Sequence, residues 1–305
     1  MNYGPLIFLA AFLALSGSWF GFVLTPYVQL GQMQQTNTVP AGATYPVARP
    51  GLAHQGLEVY RANGCAACHS QQISQSGVNC NVVLSEAGTN ASLLVAALQK
   101  VRPGFSEAEA KLFLGGLPKN VLEGVKKEEA DAAAKDLSVG GAKAQVWIVP
   151  VGPDIARGWG KRRTVAEDFL FDSPVILGEQ RVGPDLADVG SRKPDPNWQM
   201  LHLYSPRLLV QDSTMPPYRF LFEKRKIERE VSPDALVLPK QLAPEPGYEI
   251  VPKTQAKALV AYLQSLRVDA PLFVAPLSVA TAPSTNAPAA GSTNATSNIS
   301  TNAAK

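Results

Sequence analysis

The sequence predicts a mainly α protein, in which one N-terminal apolar helix precedes a helical domain that a small α/β segment interrupts. Three observations predict this fold class: an uncharged apolar run at 5–24, helical apolar spacing on both sides of 80–149, and separate helix and strand patterns inside 80–149. The last residues are largely Ala, Pro, Ser, Thr and Asn, which cannot bury enough apolar surface to fold. The expected boundaries are an anchor at 1–28, a linker at 29–50, a domain split into 51–79 and 150–269, an insert at 80–149 and a disordered tail at 270–305.

Composition limits the classes of protein to consider. A chain of 305 residues is long enough for about two domains. The net charge of +3 is too small to argue for binding to nucleic acid, and three cysteines do not make a disulfide framework. We therefore expect a protein with no nucleic-acid partner.

The N-terminal run has the length of a membrane span. Pro5 to Leu24 would extend about 30 Å as a helix, which is the thickness of the hydrocarbon core of a bilayer. Tyr3 and Tyr27 flank the run, as aromatic residues do at membrane interfaces. A cleaved signal peptide is the alternative, but the first basic residue is Arg49 and the apolar stretch is long. The pattern favours a retained single-pass anchor.

Cys65-Ala66-Ala67-Cys68-His69 has the spacing of a site for covalent attachment of haem c. On a helix, positions i, i+3 and i+4 share one face, so both thiols can reach one porphyrin while His69 binds its iron. A redox-active cysteine pair or half of a zinc site are the alternatives. A zinc site needs about four ligands, and the remaining cysteine, Cys80, has no nearby partner. The motif predicts one covalently attached haem c, with Cys65, Cys68 and His69 as binding residues.

Met215 is the expected sixth ligand of the iron. It lies in Asp212-Ser213-Thr214-Met215-Pro216-Pro217-Tyr218, where the prolines favour an extended loop that can present its sulfur. A methionine ligand raises the reduction potential relative to a second histidine. Met200 and His202 are rivals, but both lie in a predicted helix at 198–204, where a role in the core or in packing is commoner.

The insert has the pattern of a complete α/β unit. The expected elements are a strand at 81–84, a helix at 91–101, a second helix that Ser106 and Glu109 cap and Gly115-Gly116 ends, a third helix at 126–137, and a closing strand at 145–149. Such a unit can bury a core of its own, so it can be inserted without disturbing its host.

Two further patterns belong to the host domain. A basic cluster around Trp159 could meet haem propionates or an acidic electron donor, although a solvated surface is the commoner role; its members are Arg157, Lys161, Arg162 and Arg163. Thr254 to Leu266 has amphipathic spacing, and we expect this helix to pack against the predicted helix at 52–63.

Together these motifs resemble the membrane-anchored mono-haem cytochrome c subunit (subunit II) of the cbb3-type cytochrome c oxidases. The matching residues are Gly56-Leu57-Glu58-Val59-Tyr60, Gly64-Cys65-Ala66-Ala67-Cys68-His69-Ser70-Gln71, Arg181-Val182-Gly183-Pro184-Asp185-Leu186-Ala187-Asp188-Val189-Gly190, His202-Leu203-Tyr204-Ser205-Pro206-Arg207, Ser213-Thr214-Met215-Pro216-Pro217-Tyr218 and Lys257-Ala258-Leu259-Val260-Ala261-Tyr262-Leu263. The resemblance implies a class I cytochrome c domain, in which the Pro184 carbonyl contacts the free ring nitrogen of His69.

The same resemblance implies an electron-transfer function. The chain would pass single electrons from a periplasmic donor, or from a second cytochrome c subunit, to the catalytic haem–copper subunit. The anchor would lie in the cytoplasmic membrane and the soluble domain in the periplasm, because covalent haem attachment takes place outside the cytoplasm. The chain itself would carry no catalytic residue. The cytochrome c subunit of a nitric oxide reductase is the alternative, as is a tethered cytochrome whose insert is the functional part.

The insert has a second resemblance, to the C-terminal domain of the bacterial ribosomal stalk protein. The matching residues are Asn81-Val82-Val83-Leu84-Ser85-Glu86-Ala87-Gly88, Glu109-Ala110-Lys111, Leu117-Pro118-Lys119, Glu123-Gly124-Val125-Lys126-Lys127-Glu128-Glu129-Ala130 and Gly140-Gly141-Ala142-Lys143-Ala144-Gln145-Val146. This resemblance implies three helices on a three-stranded sheet. Ala91 and Ala96 stand where the family carries lysines that engage translation factors, so the insert is either a docking module or a spacer.

Overall fold

The computed structural model describes residues 3–38, 42–272, 274–275 and 279–280. Its α-helices, in chain order, are α1 Gly4–Trp19, α2 Thr25–Gly31, α3 Gly51–Ala62, α4 Ala91–Val101, α5 Glu107–Leu114, α6 Lys127–Leu137, α7 Pro153–Ala156, α8 Val189–Arg192, α9 Pro196–Tyr204, α10 Pro206–Leu209 and α11 Thr254–Ser265. The strands are β1 Thr36–Asn37, β2 Thr44–Tyr45, β3 Gly77–Glu86, β4 Lys119–Val125, β5 Lys143–Val151, β6 Phe222–Lys226, β7 Tyr248–Pro252 and β8 Val279–Ala280.

The described residues divide into two compact units. The first, here the host unit, contains the described residues within 3–79 and 148–279; the second contains 80–147 and residue 280. In the sheet of the second unit the strand order is β4-β3-β5-β8, so β3 and β5, where the chain enters and leaves the insert, are neighbours. At that point Ser76 N–H donates to Val151 O at 2.9 Å.

The N-terminal helix is continuous and exposed. A π-helical turn at Phe20–Leu24 joins α1 to α2. The resulting apolar helix, Gly4–Gln29, is 26 residues long, and its most apolar stretch is not buried against the rest of the protein. At 1.5 Å per residue such a helix can cross the hydrocarbon core of a bilayer. The helix fits the expected single-pass membrane anchor.

The predicted linker is partly fixed to the host unit. Strands β1 and β2 pair antiparallel, with Thr36 opposite Tyr45. The Tyr45 hydroxyl donates to Asp168 Oδ1 at 2.7 Å, and Arg49 forms an ion pair with Asp172. The chain between the anchor and α3 is therefore attached to the domain at two points.

Helices α3 and α11 form the core of the host unit. Ala53, Leu57 and Tyr60 are the buried apolar face of α3, and the Tyr60 ring lies 5.3 Å from that of Tyr262 on α11. The helices approach so closely at Gly56 that a Cβ there would lie 1.9 Å from the carbonyl oxygen of Ala258. Only glycine allows this contact, which places the end of α3, and hence the Cys65 motif, against α11.

The insert has its own core. Leu84 on β3, Leu94 and Leu98 on α4, and Leu137 on α6 are all fully buried in one apolar cluster. The predicted capping box is present, since Ser106 and Glu109 bond each other's backbone N–H groups at the start of α5. The strand at Lys119–Val125 was not predicted from its residues, because Gly124 and the charged side chains interrupt the alternation of apolar and polar residues that marks a strand. It supplies the third strand that the stalk-protein resemblance implies.

The tail was predicted to begin too early. Of 270–305, the structure describes 270–272, 274–275 and 279–280. Leu272 and Ala275 are buried and form a β-bridge, and the Ala270 carbonyl accepts a hydrogen bond from Arg162. The folded part of the host unit therefore extends beyond residue 269. The rest of the predicted tail, from 281 onward, lies outside the described residues.

Candidate haem site

The cysteine motif follows directly after α3. The helix ends at Ala62, and Gly64 has a φ of +65°, a conformation that glycine adopts without strain. Cys65–Ala67 then form one turn of 3₁₀-helix. The His69 N–H donates to the Cys65 carbonyl at 3.0 Å, so a backbone hydrogen bond spans the first and last residues of the motif.

A loop more than a hundred residues further along the chain is bound to this turn. The N–H of Gly183 donates to the Cys68 carbonyl at 2.9 Å, and the N–H of Leu186 donates to the Ser70 carbonyl at 2.8 Å. Between them, Nδ1 of His69 lies 2.8 Å from the carbonyl oxygen of Pro184. A carbonyl acceptor requires the proton on Nδ1, which leaves Nε2 with a free lone pair.

Gly183 lies in van der Waals contact with the His69 ring. A Cβ at this position would lie 2.2 Å from Cε1 and 2.7 Å from Nδ1 of His69. The glycine is therefore required by the approach of the loop to the imidazole, and not by its own backbone conformation.

A buried carboxylate holds the two segments together. Asp185 is fully buried, and its oxygens accept hydrogen bonds from the Ser70 hydroxyl at 2.5 Å, the Gln72 N–H at 2.7 Å and the Ala187 N–H at 2.8 Å. Every oxygen of the carboxylate thus binds a donor, which is what a buried charge requires. This role of Asp185 was not predicted from the sequence.

A second buried carboxylate lies nearby and was also missed. Asp154 accepts from the N–H of Ser74 at 2.7 Å and from Arg181 Nη1 at 2.8 Å, and Arg181 also bonds the Gln72 carbonyl. Burial opposes ionisation of Asp154, but hydrogen bonds from Ser74 and Arg181 outweigh it and lower the pKa of this carboxyl. Arg181 therefore links the Pro184 loop to the segment that follows the motif. No sequence pattern connects residues so far apart.

One cavity of about 500 Å³ lies beside the cysteine motif. Its other walls are the loop that carries Pro184, the loop that carries Met215, and helices α8, α9 and α11. This volume is within the range of cofactor sites, roughly 300–1,000 Å³. Cys65, Cys68, His69, Pro184 and Met215 all line the cavity. Cys80 lies in the core of the insert and does not line the cavity.

The two thiols differ in their surroundings. Cys65 is half-buried against the host core, while Cys68 is exposed. Burial raises the pKa of the Cys65 thiol to about 11, so this group is a neutral thiol at physiological pH.

Met215 and its rivals occupy different places. Met215 is half-buried in the loop before Tyr218, and the Tyr218 N–H fixes that loop to the Leu203 carbonyl of α9 at 2.8 Å. Met200 packs against the core and does not line the cavity. His202 does line it, with its ring stacked on Trp198 at 4.8 Å.

The predicted basic cluster does not line the cavity. Arg162, expected at the surface or beside a propionate, is fully buried and forms two hydrogen bonds with Asp168, at 2.8 and 3.0 Å. Arg157 lies over the Trp159 ring, 4.9 Å from its centroid. The expectation of a solvated side chain is therefore wrong for Arg162, because its partner Asp168 lies only six residues away in a 3₁₀ turn.

The donors around the cavity fit a haem. Two thiols can form thioethers, an imidazole with a free Nε2 can bind iron, and a thioether sulfur can do the same. The remaining lining is largely apolar, including Leu186, Val189, Leu259 and Leu263. By their chemistry these residues are compatible with the haem site of a c-type cytochrome.

Comparison with protein families agrees with that class. Residues 145–244, about a third of the chain, match the family described as cytochrome c oxidase, mono-heme subunit/FixO. The match includes Gly183, Pro184 and Met215 but not the cysteine motif. It supports a cytochrome c oxidase subunit with one haem and with a function in electron transport.

Residues 80–147 match the ribosomal protein L7/L12 C-terminal domain, and through this segment the chain belongs to that domain family. The large ribosomal subunit protein bL12 of Paracidovorax citrulli is 46% identical over 66 residues, which are 22% of this chain and 52% of the relative. The bL12 protein of Delftia acidovorans is 47% identical over 66 residues, again 22% of this chain and 52% of the relative. That of Albidiferax ferrireducens is 35% identical over 96 residues, 32% of this chain and 74% of the relative. The chain spans about half the length of most of the curated relatives that it matches.

Proposed function

We propose that this chain is the electron-transfer subunit of a cbb3-type cytochrome c oxidase and carries one covalently bound haem c. The observation that carries the proposal is the bond between His69 and the Pro184 carbonyl at one wall of the cavity that Met215 also lines. It joins the cysteine motif to the segment that matches the oxidase subunit family, so both belong to one site.

In this proposal four side chains hold the cofactor. Cys65 and Cys68 form the two thioethers, His69 binds the iron through Nε2, and Met215 supplies the sixth ligand. When bound, haem c supplies reversible one-electron oxidation and reduction. Pro184 fixes the orientation of the imidazole and makes its Nε2 a stronger donor.

The surrounding residues set the conditions for electron transfer. Leu186, Leu259 and Leu263 exclude water from the cavity, which favours the less charged, reduced iron. Asp185 and Asp154 fix the loop that carries Pro184, so that the imidazole keeps one position in both oxidation states. Cys68 is exposed and marks the side at which an electron partner can approach.

The membrane arrangement follows from the same proposal. The helix Gly4–Gln29 anchors the chain in the cytoplasmic membrane, and the host unit faces the periplasm, where haem c is attached. Its partners are the catalytic haem–copper subunit and a second cytochrome c subunit or a periplasmic donor. In this proposal the chain carries no catalytic residue, and oxygen is reduced in the catalytic subunit.

A second function concerns the insert, which has a complete core of its own and belongs to a domain family found in a ribosomal protein. We propose that it serves as a protein-docking module and is dispensable for electron transfer. Ala91 and Ala96, on α4, are exposed positions where the family carries lysines, so translation factors are poor candidates for its partner.

Purification of the intact complex in mild detergent tests the first function. We expect an optical spectrum with low-spin haem c together with b-type haems, and consumption of oxygen. Deletion of residues 82–148 should leave both unchanged, because β3 and β5 are neighbours at the point where the insert begins and ends.

Other results would reject these assignments separately. Consumption of nitric oxide without oxygen uptake would assign the chain to a nitric oxide reductase. Haem c without any partner subunit would leave a tethered electron carrier. Loss of the partner subunit on deletion of 82–148 would make the insert part of the respiratory assembly.

A further inference from the structure

Two buried nitrogen atoms beside the cavity have no hydrogen-bond partner. Among the described residues, Nε of Arg192 and Nδ1 of His202 are both inaccessible to solvent and unpaired. Both residues line the cavity. A buried donor without an acceptor is rare in folded proteins, and such a group often marks the place of a ligand.

Each of these side chains is held in position by its other contacts. Nη2 of Arg192 bonds the Asp185 carbonyl oxygen, so the guanidinium is anchored to the Pro184 loop. The His202 ring is nearly parallel to that of Trp198, at 10°, and the Lys193 ammonium lies 4.8 Å from the centroid of the same indole. The two unpaired nitrogens are therefore parts of a rigid wall, formed by the end of α8 and by α9.

The charge of this wall selects an anionic ligand. Of the residues that line the cavity, Arg192 and Lys193 are cationic, and the one carboxylate, Asp212, is exposed on the Met215 loop. The guanidinium of arginine presents its N–H groups in a planar fork that matches a carboxylate. A neutral imidazole can donate one further hydrogen bond from Nδ1.

We propose that Arg192 and His202 bind the propionate carboxylates of the haem. This inference rests on the proposed function, because haem c brings two carboxylates and no other acceptor of that kind lies in the buried part of the cavity. The propionate site is then at the end of α8 and on α9, and not at the basic cluster around Trp159. It also gives His202 a role as a positioning residue, distinct from the ligation of iron.

Resonance Raman spectra of the purified haem protein test the proposal, since the bending bands of propionates respond to their hydrogen bonds. We expect shifted propionate bands in Arg192→Gln and in His202→Phe, which keeps an aromatic ring against Trp198. Arg192→Gln should also lower the midpoint potential, because loss of a positive charge favours the oxidised iron. Lys161→Gln is the matched control: it removes a positive charge from the basic cluster, and its bands should equal those of the wild type.

The outcomes separate the two proposals. Wild-type propionate bands in both Arg192→Gln and His202→Phe, with haem attached, would overturn the propionate site alone. Shifted bands in Lys161→Gln would overturn it in favour of the basic cluster. Absence of haem c from the wild-type protein would instead reject the proposed function. If Arg192→Gln does not fold, His202→Phe and Arg192→Lys provide the same comparison.

Discussion

Replacement of Gly183 by alanine should displace the His69 ring and remove its bond to the iron. The new methyl group would lie 2.2 Å from Cε1 and within 3 Å of both ring nitrogens. The backbone fixes the position of this methyl group, so either the imidazole turns or the loop that carries Pro184 moves away. Overpacking of this kind costs about 1–3 kcal/mol. The optical spectrum should change from low-spin to high-spin haem, and the midpoint of thermal unfolding should fall.

Gly51→Ala is the matched control for this substitution. Gly51 is the first residue of α3, and a Cβ there would meet nothing within 4 Å. The control should keep the low-spin spectrum and the unfolding temperature of the wild type. A low-spin spectrum in Gly183→Ala, with unchanged stability, would contradict the geometry of the loop against His69.

Replacement of Met215 by histidine should keep the haem but lower its reduction potential. The two thioethers do not depend on the sixth ligand, so the haem content should equal that of the wild type. A nitrogen ligand stabilises oxidised iron more than a thioether does, and axial ligands set potentials over roughly 0.8 V. We therefore expect a large fall, measured by redox titration of the purified subunit.

Met200→Leu is the control for the second substitution. Met200 packs against the host core and does not line the cavity, so a change of similar volume should leave the potential unaltered. An unchanged potential in Met215→His would reject Met215 as the ligand. A fall in Met200→Leu equal to that in Met215→His would indicate a general disturbance of the domain.

The sequence predicted well the features that depend on neighbouring residues. Helix α4 begins and ends at the predicted residues 91 and 101, and the capping box of Ser106 and Glu109 is formed as expected. Apolar periodicity and cap chemistry act over three or four positions, so the pattern is present in the local sequence. The helix at Thr254–Ser265 was predicted within one residue for the same reason.

Contacts between distant segments were not predictable in this way. No local pattern relates Asp154 to Arg181, yet the exposed arginine forms an ion pair with the buried carboxylate and joins two segments of the host unit. Arg162 is one of four basic residues in the cluster around Trp159, and only the fold distinguishes it as the buried one. The unpaired Nε of Arg192 is likewise a property of the three-dimensional site and has no counterpart in any motif.

Covalent attachment of one haem at Cys65 and Cys68 is the central claim, and the intact mass of the denatured chain tests it most directly. The wild-type chain should be heavier than its sequence by the mass of one haem, after any processing of the N-terminus. A variant with Cys65→Ser and Cys68→Ser should have the mass of the polypeptide alone. A wild-type chain without the added mass, from cells that attach haem to other c-type cytochromes, would contradict the claim.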